Sequence, residues 1–314
     1  MEATARPRAD ATITLADGRP LAYCEWGNPS GSPVLLAHGG PGSRLLCPDQ
    51  DATAAAEVRL LTVDRPGYGG SGPRPDPTLL GWADDVQALA DWLGLDRFAV
   101  VGWSAGGGYA LACAARMPER ISAVGLASCE GPYDQVPGAL EAGMSPEERR
   151  LFERIRRDPV AARGAVAAHV GWYQDPDRIC GEWEREGPAV DVPILARPDV
   201  RDALTQMWRE GARQGVGGLV DDWIALSLPW GFPLAEVKVP VFVWQGELDH
   251  LVDPAHAHYF SAVLPNSRLV LYPQDGHLLL LQHWGEILAA VTARAEPKDP
   301  AAGRCEGGGR AAPQ

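Results

Sequence analysis

The sequence predicts an α/β protein: a doubly wound, mostly parallel sheet interrupted by an inserted all-helical segment. Three observations carry this. Short apolar runs recur at Val34–Ala37, Leu60–Val63, Phe98–Val101 and Val124–Ala127, without the polar alternation of half-exposed strands, so they suit strands buried on both faces. Helical patterns separate these runs, and strand–helix alternation is the mark of a parallel sheet. From about Tyr133 to Trp230 the strand patterns vanish, and alternation resumes at Val239.

The elements follow in order. Ala11–Leu15 and Pro20–Trp26 flank Asp17-Gly18, a hairpin turn. Val34–Ala37 ends at His38-Gly39-Gly40-Pro41-Gly42, and Leu60–Val63 ends at Asp64-Arg65-Pro66-Gly67. Leu79, Trp82, Ala83, Val86, Leu89, Ala90 and Leu93 repeat at the spacing of an amphipathic helix over Leu79–Leu93. Phe98–Val101 is followed by Gly102, then by a helix over Tyr109–Met117 that Pro118 stops, then by the strand Val124–Ala127. Inside the insertion, Ser145-Pro146-Glu147-Glu148 is a capping box, and Asp158-Pro159 and Arg197-Pro198-Asp199 start two more helices. The return consists of a strand over Val239–Trp244, a helix over Pro254–Leu264, a strand over Arg268–Tyr272 and a helix over His277–Ala295. The expected division is a core of residues 11–132 and 231–295, a helical cap of residues 133–230, and a Gly-, Ala- and Pro-rich disordered tail of residues 296–314.

Composition bounds the function. The chain has 314 residues, 46% hydrophobic and 22% charged, the balance of an ordinary globular protein. Its formal net charge of −13 repels phosphate backbones and anionic lipid, which speaks against nucleic-acid and membrane-surface partners. It contains no apolar run of about 18 residues, and its start lacks the apolar stretch of a secretory signal, so a cytoplasmic location is expected. Six cysteines lie scattered, with no metal-ligand spacing, and read as reduced thiols, mostly small buried hydrophobes, with Cys305 in the tail exposed and inert. His256 and His258 do not share a helix face, so no metal site is expected.

Four motifs carry chemistry. Gly102-Trp103-Ser104-Ala105-Gly106 is G-x-S-x-G set between a buried strand and a helix. A serine there occupies a tight strand-to-helix turn, with glycines two before and two after to admit a strained backbone. The turn lifts the hydroxyl to the C-terminal edge of the sheet and to a helix N-terminus, where the dipole favours developing negative charge. Ser104 is therefore the candidate nucleophile. A tetrahedral intermediate formed on it needs two fixed N–H donors, assigned to Ala105 and, from the loop His38–Ser43, to Gly40. His38 reads as a brace of that loop. Asp249 ends the motif Gln245-Gly246-Glu247-Leu248-Asp249 after one late strand, and His277 ends Gln274-Asp275-Gly276-His277 after the next, opening the final helix. The chain order serine, aspartate, histidine is the one that accompanies this elbow. His277 is the candidate base and Asp249 the acid that orients it. Asp253, Asp275 and Asp134 stand as alternative acids.

With these residues in view, the chain from about Ala11 to Ala295 resembles the α/β-hydrolase superfamily, in its branch with a helical cap. The resemblance implies the α/β-hydrolase fold and a serine hydrolase that needs no cofactor. Asp64-Arg65-Pro66-Gly67-Tyr68-Gly69-Gly70-Ser71 also resembles the D-R-x-G-x-G-x-S loop of that superfamily, which packs beside the oxyanion loop and implies a structural role for Asp64 and Arg65. Similar proteins that open epoxides or displace halides carry Asp at the nucleophile position, where this chain has Ser104. The His-Gly-Gly-Pro-Gly stretch is similar to the proline iminopeptidase branch, whose elbow usually reads Gly-Gly-Ser-Trp-Gly rather than Gly-Trp-Ser-Ala-Gly.

The insertion holds five of the chain's eleven tryptophans, Trp172, Trp183, Trp208, Trp223 and Trp230, together with Phe152, Tyr133, Tyr173 and Met207. Helical spacing makes most of these core residues of the cap, the rest lining an apolar pocket over Ser104. Trp172, Trp208, Trp223 and Trp103 are the candidate substrate contacts. The expected activity is hydrolysis of a small, mostly apolar ester, lactone or thioester. Glu182, Glu184, Glu186, Asp221 and Asp222 read as a solvated acidic face; binding of a substrate amine, as an aminopeptidase requires, is the alternative. A non-catalytic ligand-holding relative is the opposing class, set against it by the retention of Ser104, Asp249 and His277 together.

Overall fold

The computed structural model describes residues 6–138 and 144–293. An 8-stranded sheet runs in the order β1-β2-β4-β3-β5-β6-β7-β8. Its strands are β1 (Ala9–Thr14), β2 (Pro20–Gly27), β3 (Ser32–Ala37), β4 (Val58–Val63), β5 (Phe98–Trp103), β6 (Ile121–Ala127), β7 (Val241–Gly246) and β8 (Ser267–Tyr272). The β1–β2 hairpin is antiparallel and β2 joins β4 antiparallel; every pairing from β4 to β8 is parallel. All six residues of β5 are buried, as its unbroken apolar run requires.

Helices cover both faces. On one, α2 (Leu79–Trp92) and α3 (Gly106–Arg116) place Trp82, Val86, Leu89 and Tyr109 against Leu35, Leu61 and Val100. On the other, α1 (Gln50–Ala55) and α12 (Trp284–Thr292) place Ala52, Ile287 and Leu288 against Val34, Leu36 and Val101. Alternation along each strand divides its side chains between these two cores. The chain leaves β3 for β4 on one side and returns to β5 on the other, so the C-terminal ends of β3 and β5 form a switch point where the loops part and a crevice opens.

Between β6 and β7 the described residues hold only helices: α4 (Pro146–Arg157), α5 (Pro159–Val170), α6 (Pro176–Glu186), α7 (Val192–Leu195), α8 (Pro198–Gly211) and α9 (Gly217–Ser227), with short 3-10 turns. The capping box stands as read: Ser145 Oγ accepts from Glu148 N at 3.2 Å and Glu148 Oε2 accepts from Ser145 N at 2.8 Å. Asp158 caps α5 through Ala161 N at 3.0 Å. Asp175-Pro176 starts α6 by the same device, a start that the sequence reading passed over.

After α10 (Ala255–Val263) and β8 the expected single helix from His277 is two, α11 (Leu279–Gln282) and α12, parted at His283. That ring is held back at Asp275, 2.6 Å away, and stacks on Tyr272 at 3.8 Å. His277 lies in the turn before α11, which starts at Leu279, and so precedes the helix rather than opening it. Cys24, Cys47, Cys113, Cys129 and Cys180 are buried free thiols. Cys305 and the tail from residue 296 lie outside the described residues, as does residue 295. Among the described residues no helix is long and apolar enough to cross a membrane, and no cluster of His, Cys, Asp or Glu has metal-binding geometry.

Candidate active site

Ser104 follows β5 directly, with its backbone in the left-handed region at φ 54°. A non-glycine residue there costs on the order of 1–3 kcal/mol, and the surroundings hold it: Ser104 N donates to Ala127 O at 3.1 Å and Ser104 O accepts from Gly107 N at 3.1 Å. The turn is so close to β3 that a Cβ on Gly106 would lie 2.1 Å from Ala37 O, and one on Gly102 2.6 Å from Gly106 O. Both glycines of the motif are therefore demanded by close backbone approach.

The loop after β3 meets this elbow. A Cβ on Gly40 would sit 3.4 Å from the Ala105 Cβ, so the two assigned N–H donors belong to adjacent backbone. His38 braces the loop, as read. Its Nδ1 stands 2.7 Å from Gly39 O and its Nε2 accepts from Arg65 N at 3.4 Å. Burial, and then the charge of Arg65, hold it well below the ordinary histidine pKa and hence neutral. Arg65 also donates to the carbonyls of His38 and of Gly39, the latter at 3.0 Å. Beside it, buried Asp64 accepts from Arg44 N at 2.6 Å, Arg44 Nη1 at 2.7 Å and Gly70 N at 2.8 Å. Burial pushes the Asp64 carboxyl up to about 6 against the pull of Arg44.

A fully buried guanidinium needs a counter-charge. Asp222, on α9, supplies it, accepting from Arg65 Nε at 3.2 Å, Arg65 Nη2 at 2.6 Å, Tyr68 Oη at 2.6 Å and Tyr109 Oη at 2.7 Å. The expectation of a solvated acidic face fails for Asp221 and Asp222, which are 5% and 3% exposed. Asp221 is instead paired with Arg163 at 2.6 Å. Asp222 points at buried groups of the core loops, whereas Asp221 turns to the exposed Arg163 on α5, within the insertion. Glu184 does lie on the outside, bound to Arg201 at 2.5 Å.

Asp249 and His277 come together: Asp249 Oδ2 is 2.8 Å from His277 Nδ1. Asp249 Oδ1 accepts from Leu251 N and Val252 N, both at 3.0 Å, and Gln245 Nε2 donates to Oδ2 at 3.3 Å. The alternative acids are engaged elsewhere. Asp253 accepts from Ala255 N, Asp275 holds His283, and Asp134 pairs with Arg156. Burial opposes charge on His277, but the carboxylates of Asp249, then Asp191 and Glu130, outweigh it and raise its pKa above the ordinary 6.5.

Ser104, His277, Gly40 and Ala105 all line one cavity of about 400 Å³. Trp103, Trp172, Trp208 and Trp223 line it as well. So do Trp183, Tyr133 and Tyr173, which overturns the expectation that most aromatics of the insertion form its own core. The insertion packs around the crevice, so apolar faces that would otherwise meet one another meet the cavity; Phe152, Met207 and Trp230 are buried away from it, and Trp208 is both buried in the core and part of the cavity wall.

Glu130 escaped the sequence reading. It follows β6, one strand from the elbow, and lines the same cavity with Glu148, Glu182 and Glu186, while among the described residues no Lys or Arg does. Burial pushes its carboxyl up to about 7. Its place just past a strand's C-terminal end, where Asp249 was found, was the available clue.

The sequence model of the α/β hydrolase fold family matches residues 32–283. Among similar proteins, a bifunctional esterase/perhydrolase of Acinetobacter calcoaceticus is 28% identical over 273 residues, 84% of this chain and 92% of its own. A non-heme chloroperoxidase of Streptomyces lividans is 28% identical over 281 residues, 87% of this chain and 94% of its own. Among solved structures, a hydrolase from Pseudomonas aeruginosa superposes with a TM-score of 0.68 at 23% identity, covering 91% of this chain and 99% of that one, a likeness of fold.

Proposed function

The chain belongs to the α/β hydrolase fold family and is a hydrolase, and on that premise we propose that it cleaves a small, mostly apolar ester, lactone or thioester through a Ser104 acyl-enzyme. The observation that carries the reading is the 2.8 Å contact of Asp249 with His277 Nδ1. With Nδ1–H engaged by the carboxylate, Nε2 is the basic nitrogen, and the ring lines the cavity that Ser104 lines. Nε2 takes the hydroxyl proton as Ser104 Oγ attacks the carbonyl carbon. The N–H groups of Ala105 and Gly40 receive the oxyanion. Collapse expels the alcohol or thiol, protonated by His277, and a water activated by the same imidazole releases the acid. The aromatic walls of Trp103, Trp172, Trp208 and Trp223 suit an apolar acyl or leaving group. The esterase named among the similar proteins supports the same class.

The anionic lining favours a second reading, an aminopeptidase like those of the proline iminopeptidase branch, with a substrate ammonium met by Glu130 and Glu182. A panel of neutral p-nitrophenyl esters against aminoacyl p-nitroanilides separates the two. Faster cleavage of neutral esters is expected; preference for aminoacyl anilides would replace the ester reading. Labelling of Ser104 by a fluorophosphonate distinguishes both from a ligand-holding protein, in which Ser104 would stay unlabelled.

A further inference from the structure

Asp191 lies in the helical insertion, on the turn before α7, and is 0% exposed. Its Oδ2 accepts from His277 N at 2.8 Å and from Leu278 N at 3.2 Å. Among the described residues its Oδ1 has no hydrogen-bond partner. The approach is permitted by Gly276, where a Cβ would lie 2.5 Å from that oxygen. Asp191 is itself fixed through its backbone: its N–H donates to Pro188 O at 2.9 Å, and its carbonyl accepts from Ile194 N at 3.0 Å and Leu195 N at 2.9 Å. A carboxylate from one part of the chain thus grips the main chain of the turn that carries His277. Asp249 fixes the ring of that residue, while its backbone is held at N–H by Asp191 from the insertion and at the carbonyl by Trp103 Nε1 from the core, at 3.2 Å.

We propose that Asp191 is a positioning residue for the base: the cap holds the His277 turn in place through this one carboxylate, so that the imidazole is set for proton transfer only while the cap is seated. The proposal rests on the reading of His277 as the base. Two consequences follow. The backbone grip fixes where the ring stands, and an error of about 1 Å in such a position costs on the order of 100-fold in rate. The negative charge also stabilises the imidazolium that forms when Ser104 gives up its proton. The other titratable groups around His277 are Asp249 from the loop after β7, Glu130 from the loop after β6 and, lining the same cavity, Glu148, Glu182, Glu186, Asp222 and His250. Burial pushes the Asp191 carboxyl up to about 6, against the pull of His277 and the two backbone N–H groups, so its charge is lost as the pH falls below that value.

The test compares the full chain with Asp191→Asn and Asp191→Ala. Histidine-selective ¹⁵N NMR follows the His277 titration, its signal assigned by loss in His277→Gln. Asp191→Asn keeps an oxygen for both N–H groups and removes the charge, so the His277 midpoint falls by about 0.5–1 pH unit. Asp191→Ala removes the grip as well, and kcat on the best p-nitrophenyl ester falls about 10- to 100-fold with KM little changed. A role in cap stability alone would lower the melting temperature but leave the midpoint in place. An unmoved midpoint in Asp191→Asn, or kcat within about twofold of wild type in Asp191→Ala, overturns the proposal. Failure of the ester reading shows differently, as a wild type without turnover, and the NMR titration still registers whether Asp191 acts on His277.

Discussion

Asp222, on α9, closes on Arg65, on the loop after β4, with Oδ2 2.6 Å from Nη2, and both are buried. Arg65 in turn holds the carbonyls of His38 and Gly39. A helix of the insertion thereby braces the loop that carries Gly40. Asp222→Ala leaves a guanidinium buried without its counter-charge, a change that destabilises by about 3–5 kcal/mol. Urea unfolding measures it. Surface changes such as Glu184→Ala move the midpoint little, about 0.5 kcal/mol or less.

The pH profile follows from His277. As the proposed base, His277 works only when neutral, and its pKa lies above 6.5 because Asp249, Asp191 and Glu130 outweigh burial. kcat/KM therefore rises with pH through a midpoint above 6.5 and is lost below it. Asp249→Asn removes the largest of the raising contributions, so the midpoint moves down while the rate at the optimum falls by about 10⁴-fold, the imidazole no longer held in its useful tautomer. In the folding equilibrium the sign is the reverse of the catalytic one. A histidine with a raised folded pKa contributes stability that is full below its unfolded pKa and is lost as the pH rises through the folded value.

Gly106→Ala tests the elbow. The added Cβ would meet Ala37 O at 2.1 Å, a backbone atom inside the parallel sheet that cannot turn aside. Overpacking of this kind costs about 1–3 kcal/mol or more. The expected result is a lowered melting temperature and lost fluorophosphonate labelling of Ser104, since the strand and Ser104 are displaced together.

Glu130→Gln probes the anionic wall. With its carboxyl pushed up to about 7 by burial, Glu130 faces His277 and adds to the charge that raises that ring's pKa. Removing the charge lowers the acidic midpoint of kcat/KM. For a neutral ester, KM changes by less than about threefold; loss of binding specific to aminoacyl anilides would move the amine-binding reading forward.

Much of this was legible in the sequence because it is local. The unbroken apolar runs place β3, β4, β5 and β6, and the Ser145 box and Asp158-Pro159 place two helix starts. Ser104, Asp249 and His277 each stand just past a strand, so chain order and strand ends sufficed to single them out as candidates. What escaped is long-range. Asp222 and Asp191 look like any surface acid on a helical stretch, and only the packing of the insertion onto loops 157 and 86 residues away in sequence gives them partners. The aromatic walls were misjudged for the same reason: helical spacing tells that a face is buried, not whether it meets a neighbouring helix or a cavity. The break at His283 depends on the contacts of its ring with Asp275 and Tyr272, which no local pattern encodes.

The most direct measurement is hydrolysis of a p-nitrophenyl ester chain-length series by the wild type and by Ser104→Ala. Turnover by the wild type is expected, with a preference set by the cavity of about 400 Å³. In Ser104→Ala the rate falls by about 1,000-fold or more at unchanged folding. Equal rates in the two proteins would rule out acyl transfer through Ser104.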